Sequence, residues 1–104
     1  MSETQTPVAE IVTFRLVAGA EAEAFVTAAR ALEPMLAATG AVLGRTLSQD
    51  ADGLWTDHIR WTSMEAAKTT AAAMMRDPAA APMMQMIDPD QVQMRHAPIL
   101  YQQE

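Results

Sequence analysis

Two residues in this chain could pair for proton transfer: Asp57 and His96. A carboxylate beside an imidazole orients it and makes it a better base. An Asp57–His96 pair would therefore suit removal of a phenol or quinol proton, with His96 as the base and Asp57 holding it. The plainer reading is that each satisfies a separate buried polar group. Trp61 could wall a pocket for a flat ligand, and it could equally be ordinary core at a strand end. Met35, Met74, Met75, Met83, Met84 and Met86 form a sulfur-rich set. Thioethers adapt to irregular apolar shapes, so they fit either a permissive hydrophobic pocket or a core that needs filling.

Other chemistry is excluded by what the sequence lacks. There are no cysteines, which removes disulfides, thiolate zinc sites and cysteine nucleophiles. Two histidines, His58 and His96, are too few for a metal site built on several imidazoles. Asp50-Ala51-Asp52-Gly53 looks like half of a calcium loop, but the remaining ligands and the closing glutamate are missing, so it reads as a hairpin turn. No phosphate-binding glycine loop or nucleophile elbow occurs.

The elements that must position these residues follow from periodicity. Val8 to Val17 is rich in β-branched and aromatic residues, with Val12, Phe14 and Leu16 on one face and Ile11, Thr13 and Arg15 on the other. Phe25, Ala29, Leu32 and Leu36 then recur at helical spacing within 21–38, where Pro34 predicts a kink in the last turn and Gly40 a stop. Residues 41–49 and 54–61 read as strands joined by the turn at 50–53. The second of them places Trp55, Asp57, Ile59 and Trp61 together. Ser63 caps a helix to about Arg76, a short helix covers 79–87, Asp88-Pro89-Asp90 turns, and 91–99 is a last strand with Val92, Met94 and His96 on one side.

The order β-α-β-β-α-β specifies an α+β, ferredoxin-like fold: a four-stranded antiparallel sheet with two helices on one face. The helix side is expected to carry Val12, Phe14, Ile59, Trp61, Val92 and Met94. The other face mixes Ile11, Val42, Leu54 and Ile99 with polar residues, including Arg15, Arg60, Arg95 and His58. A half-apolar face that the chain's own helices cannot cover predicts a partner sheet, hence a homodimer; scattered apolar residues on a solvated face are the alternative. The arginines there read as interface ion pairs or strand-end charges, with an anion site as the second reading.

The chain has 104 residues, half of them hydrophobic, and a formal charge of -6. This suits one domain spanning 1–104, with 1–7 as a disordered tail. The acidic balance argues against nucleic acid, which needs clustered Lys and Arg. No signal-like start or membrane span is visible, so the expectation is a cytoplasmic protein without a membrane partner.

Three stretches carry a family resemblance: the opening EIVTFRLVAG, the run Trp61-Thr62-Ser63-Met64-Glu65-Ala66-Ala67, and DPAAAPMMQMID. In their order and spacing the chain resembles the antibiotic-biosynthesis-monooxygenase-like family of dimeric α+β barrel proteins. The resemblance implies a dimer whose sheets close into a barrel, with a small apolar pocket between sheet and helices in each subunit. It also implies oxidation of quinol-like aromatics by oxygen with no metal, flavin or other cofactor. Trp61 matches the tryptophan that contacts substrate or heme in such proteins. The heme-degrading branch needs a histidine on the second helix and an asparagine on the first strand; this chain has Thr69–Ala73 and Val12-Thr13 there, which excludes heme degradation.

These readings converge on a cofactor-independent monooxygenase-like homodimer binding a small hydrophobic, aromatic or quinonoid molecule. Phe14, Ile59, Met74, Met83 and Met94 join Trp61 as expected ligand contacts, with His96 and Asp57 as the catalytic pair. The competing class is a non-catalytic small-ligand-binding or stress-associated dimer, and a third reading is a structural module whose interior is filled by side chains.

Overall fold

A computed structural model describes residues 6–103. Of the expected N-terminal tail, residues 1–5 lie outside the described residues, while the Pro7 carbonyl accepts a hydrogen bond from Ile99 N. Four strands, β1 (Val8–Phe14), β2 (Val42–Gln49), β3 (Trp55–Trp61) and β4 (Gln93–Pro98), form one antiparallel sheet in the order β2-β3-β1-β4. Helices α1 (Ala22–Arg30), α2 (Glu33–Ala38), α3 (Met64–Met74) and α4 (Ala81–Met86) complete the α+β, ferredoxin-like arrangement. None of them is long and apolar enough to cross a membrane.

The expected first helix is two helices. Pro34 has no N–H to give to the Arg30 carbonyl four residues back, so the chain breaks at Ala31–Leu32 and restarts with the proline in the first turn of α2. The apolar stripe survives the break, and Phe25, Ala29, Leu32 and Leu36 are all buried. Ser63 caps α3 as its position predicts, its Oγ accepting from Ala66 N at 3.1 Å. That helix stops at Met74, short of Arg76, and Asp77 then caps a single 3-10 turn (Pro78–Ala80) leading into α4.

A bulge in β2 changes which side chains face the helices. Val42 pairs with Trp61 and Gly44 with Arg60, so Leu43 is an extra residue. One inserted residue inverts the alternation beyond it. Val42, expected on the open face, packs against the core, and Arg45 and Leu47 take the helix side opposite Ile59 and Asp57. The bulge brings the β2 backbone beneath a neighbouring side chain, since a Cβ at Gly44 would meet the Arg60 guanidinium.

Phe14, Phe25 and Trp55 pack as an aromatic cluster, with ring centroids 5.3 Å apart for the two phenylalanines and 4.9 Å for Phe25 and Trp55. Trp55 is thus core. Val92 and Met94, expected beneath the helices, are 41% and 54% exposed. They lie on or beside β4, an outer strand of the sheet, where cover from the helices is incomplete.

Candidate active site

The strand register builds a polar row across the whole sheet. Arg45 on β2 pairs with Ile59 on β3, Ile59 with Glu10 on β1, and Glu10 with His96 on β4. Paired residues of adjacent antiparallel strands share a face, so cation, apolar spacer, carboxylate and imidazole stand in line on one side. Glu10 is the centre of this row and is only 6% exposed. Its Oε1 accepts from the Trp61 indole N–H at 3.2 Å, and its Oε2 lies 3.0 Å from His96 Nε2. A buried carboxylate requires such donors, and an ionised Glu10 places the hydrogen of this contact on His96 Nε2.

Asp57 belongs to a different pair. Arg45 grips it with two hydrogen bonds, Nε to Oδ1 at 3.0 Å and Nη2 to Oδ2 at 2.8 Å, and a third runs from Arg45 Nη1 to the Ala29 carbonyl at 3.0 Å. The expected contact between Asp57 and His96 is not made. Their strands flank β1 on opposite sides, and Asp57 registers with Val12 whereas His96 registers with Glu10. The carboxylate that orients His96 is therefore Glu10.

Between this sheet face and the helices is a cavity of about 210 Å³. Phe14, Ile59, Trp61, Met74, Met83 and Met94 all line it, so the residues expected as ligand contacts share one wall system. Glu10, Arg45 and Asp57 are its charged groups. Among the described residues His96 is not part of the wall; it stands behind Glu10, with its side chain 20% exposed. Met75, Met84, Val92 and Met94 line the cavity and are also exposed, which makes them its mouth. Arg45 faces a second, outer groove between α1, α2 and β2 as well, and so stands between the two spaces.

The chemical content of this arrangement is a hydrogen-bonded carboxylate on an apolar wall, with an imidazole connecting it toward solvent. It can accept a proton from a bound hydroxyl. Glu10 and Arg45 are the two residues the sequence reading missed. Extending the alternation of Val12 and Phe14 back by one step identifies Glu10, and alternation from Val42 on the open face already sets Arg45 on the helix side. Among the described residues, no cluster of His, Cys, Asp or Glu could hold a metal ion.

On the opposite sheet face the basic residues do not converge. Arg15 Nη1 donates to the Asp52 carbonyl at 2.8 Å, and Arg60 Nη1 donates to Gln102 Oε1 on the C-terminal tail. His58 Nε2 is buried with no hydrogen-bond partner among the described residues. Leu100 and Tyr101, on the same tail, are 93% and 79% exposed.

No protein-family model and no curated protein matches the sequence. Solved structures do match. SnoaB of Streptomyces nogalater, a cofactor-independent oxygenase, superposes with a TM-score of 0.67 at 15% identity, covering 95% of this chain and 96% of that one. The Pseudomonas aeruginosa protein PA3566 gives 0.69 at 20% identity, with 96% and 100% covered. A Bordetella bronchiseptica protein, provisionally designated an antibiotic biosynthesis monooxygenase, gives 0.77 at 13% identity, with 93% and 100% covered. The chain has the fold of the antibiotic-biosynthesis-monooxygenase-like proteins over nearly its whole length.

Proposed function

We propose that this protein is a cofactor-independent, monooxygenase-like homodimer that binds a small hydrophobic aromatic or quinonoid molecule between sheet and helices. The observation that carries the reading is the Glu10 carboxylate, buried on the wall of an apolar cavity and backed by His96. Its fold, shared with a cofactor-independent oxygenase, supports the reaction class.

Glu10 takes the proton of a bound phenol or quinol, and His96 positions it by donating Nε2–H to Oε2. The apolar wall of methionines, Phe14 and Ile59 raises the energy of an anion in the cavity, which favours passing an electron from the substrate anion to dioxygen. The two radicals combine at a ring C–H carbon that carries spin; that carbon's hydrogen and the proton returned by Glu10 leave with one oxygen atom as water, and the other oxygen stays as a carbonyl. Asp57 is assigned no part in this step; it is the ion-pair partner that fixes Arg45.

The test is oxygen uptake with a panel of hydroquinones and naphthols. Glu10→Gln keeps the side-chain shape and removes the base, so the rate at saturating substrate is expected to fall by about 10²- to 10⁴-fold. Uptake unchanged in Glu10→Gln refutes the role. A second reading, ligand binding without turnover, is favoured by one observation: both Glu10 oxygens already have partners. Saturable binding with no uptake in the native protein would establish it.

The homodimer rests on exposed Leu43 in β2 and on the tail that presents Leu100 and Tyr101 to solvent. Light scattering at micromolar concentration is expected to give twice the chain mass of 11.3 kDa. The monomer mass would refute it.

A further inference from the structure

We infer that Arg45 determines specificity by reading a second ligand oxygen, opposite the one at Glu10. The ligand class is then a one- or two-ring aromatic with para-related oxygens in the reduced, dihydroxy form. This deepens the cavity reading proposed above and rests on it.

The argument starts from the polar row. Arg45 and Glu10 are separated by one strand, and at the usual strand spacing their Cα atoms are about 10 Å apart. Ile59, buried at 5% exposure, supplies the apolar floor between them. A flat ring resting on Ile59 has one edge toward Arg45 and the opposite edge toward Glu10. Methionine side chains on α3 and α4 close over it, and thioethers pack well against aromatic rings.

Arg45 is held for this role and is not fully used. Asp57 fixes the plane of its guanidinium through two bonds, and the Ala29 carbonyl takes a third N–H. Its remaining contact is with Met83 Sδ at 3.9 Å, a weak acceptor that a ligand oxygen can replace. Guanidinium only donates hydrogen bonds, and an ionised carboxylate only accepts them. The matching ligand offers a hydroxyl hydrogen at one end and an oxygen lone pair at the other. A hydroquinone does both. The corresponding quinone would set a carbonyl oxygen against Glu10 with no hydrogen between them, so the oxidised form binds more weakly.

Size sets the other limit. A cavity of about 150 Å³ takes a single benzene. At about 210 Å³ this one has room for a substituted ring or two fused rings, and a third ring would have to displace side chains.

The experiment is anaerobic calorimetric titration of the full chain with naphthalene-1,4-diol, naphthalene-1,2-diol, 1-naphthol, 1,4-naphthoquinone and anthracene-9,10-diol. A hydrogen bond to a charged group corresponds to roughly tenfold to a hundredfold in affinity. The 1,4-diol is expected to bind tighter than 1-naphthol by that factor, with the 1,2-diol close to 1-naphthol and the quinone and three-ring diol weaker than the 1,4-diol. In Arg45→Lys, which keeps a charge beside Asp57 but loses the fork, the 1,4-diol and 1-naphthol are expected to bind alike. If Arg45→Lys fails to fold, the native ligand series alone decides. Equal native affinities for the 1,4-diol and 1-naphthol would remove Arg45 from recognition while leaving the cavity reading intact. Tighter binding of the three-ring diol would overturn the size limit, and binding of none of the five would overturn the cavity reading itself.

Discussion

Breaking the Arg45–Asp57 pair tests the frame on which the site is built. The two side chains are 16% and 11% exposed, joined by two hydrogen bonds of 3.0 and 2.8 Å. Asp57→Ala leaves the guanidinium with the Ala29 carbonyl as its main partner in a largely dry setting. Removing one member of a buried pair typically costs about 3–5 kcal/mol. Because both groups keep some solvent contact, the lower end applies, about 3 kcal/mol. In a domain of this size that corresponds to a fall in Tm of about 12–24 °C. Arg45→Met is expected to cost a similar amount by stranding the carboxylate. The double variant Arg45→Met/Asp57→Leu strands neither charge, and so regains most of the loss, ending within about 1 kcal/mol of the native protein. Urea unfolding of all four proteins measures the cycle. Single losses below about 1 kcal/mol that simply add in the double variant would be the behaviour of a solvated surface pair. That result would mean Arg45 is not fixed beside the cavity.

Three further perturbations have defined outcomes. Trp61→Phe keeps the ring in the core but removes the donor to Glu10 Oε1, leaving a buried acceptor short of one partner; denaturant unfolding is expected to show a loss of about 1–3 kcal/mol. Ser63→Ala removes the cap of α3 and is expected to cost about 1 kcal/mol by the same measurement, with Ser63→Asp restoring it. Gly53 turns the β2–β3 hairpin at φ +88°, so Gly53→Ala is expected to lower stability by about 1–2 kcal/mol; an unchanged unfolding midpoint would contradict that backbone conformation.

The element order, strand 54–61 and the Ser63 cap were legible because each depends on a short window. The fold follows from period-two alternation and helical spacing, and the aromatic and methionine residues that line the cavity could be named from their faces. Glu10 was legible too, two positions before Val12 on the same face. Asp57 and His96 were correctly assigned to the helix side, but face assignment carries no information about lateral distance. With β1 between their strands and registers two positions apart on it, each meets a different partner. The kink expected at Pro34 is a full break for a local reason: the missing N–H falls where a fresh helix can begin as readily as the old one can bend.

Hydrophobic patterning along the chain determined the ferredoxin-like order of elements, since burial of one face per strand and one stripe per helix is a local demand. An apolar space beside Trp61 was implied by the family resemblance alone, since patterning fitted a filled core equally well. The identity of the charged groups in that space was decided only by tertiary structure. Antiparallel pairing set Arg45, Ile59, Glu10 and His96 in one row. Register is a relation between strands distant in sequence, fixed by the sum of all their pairings, and no single strand contains it.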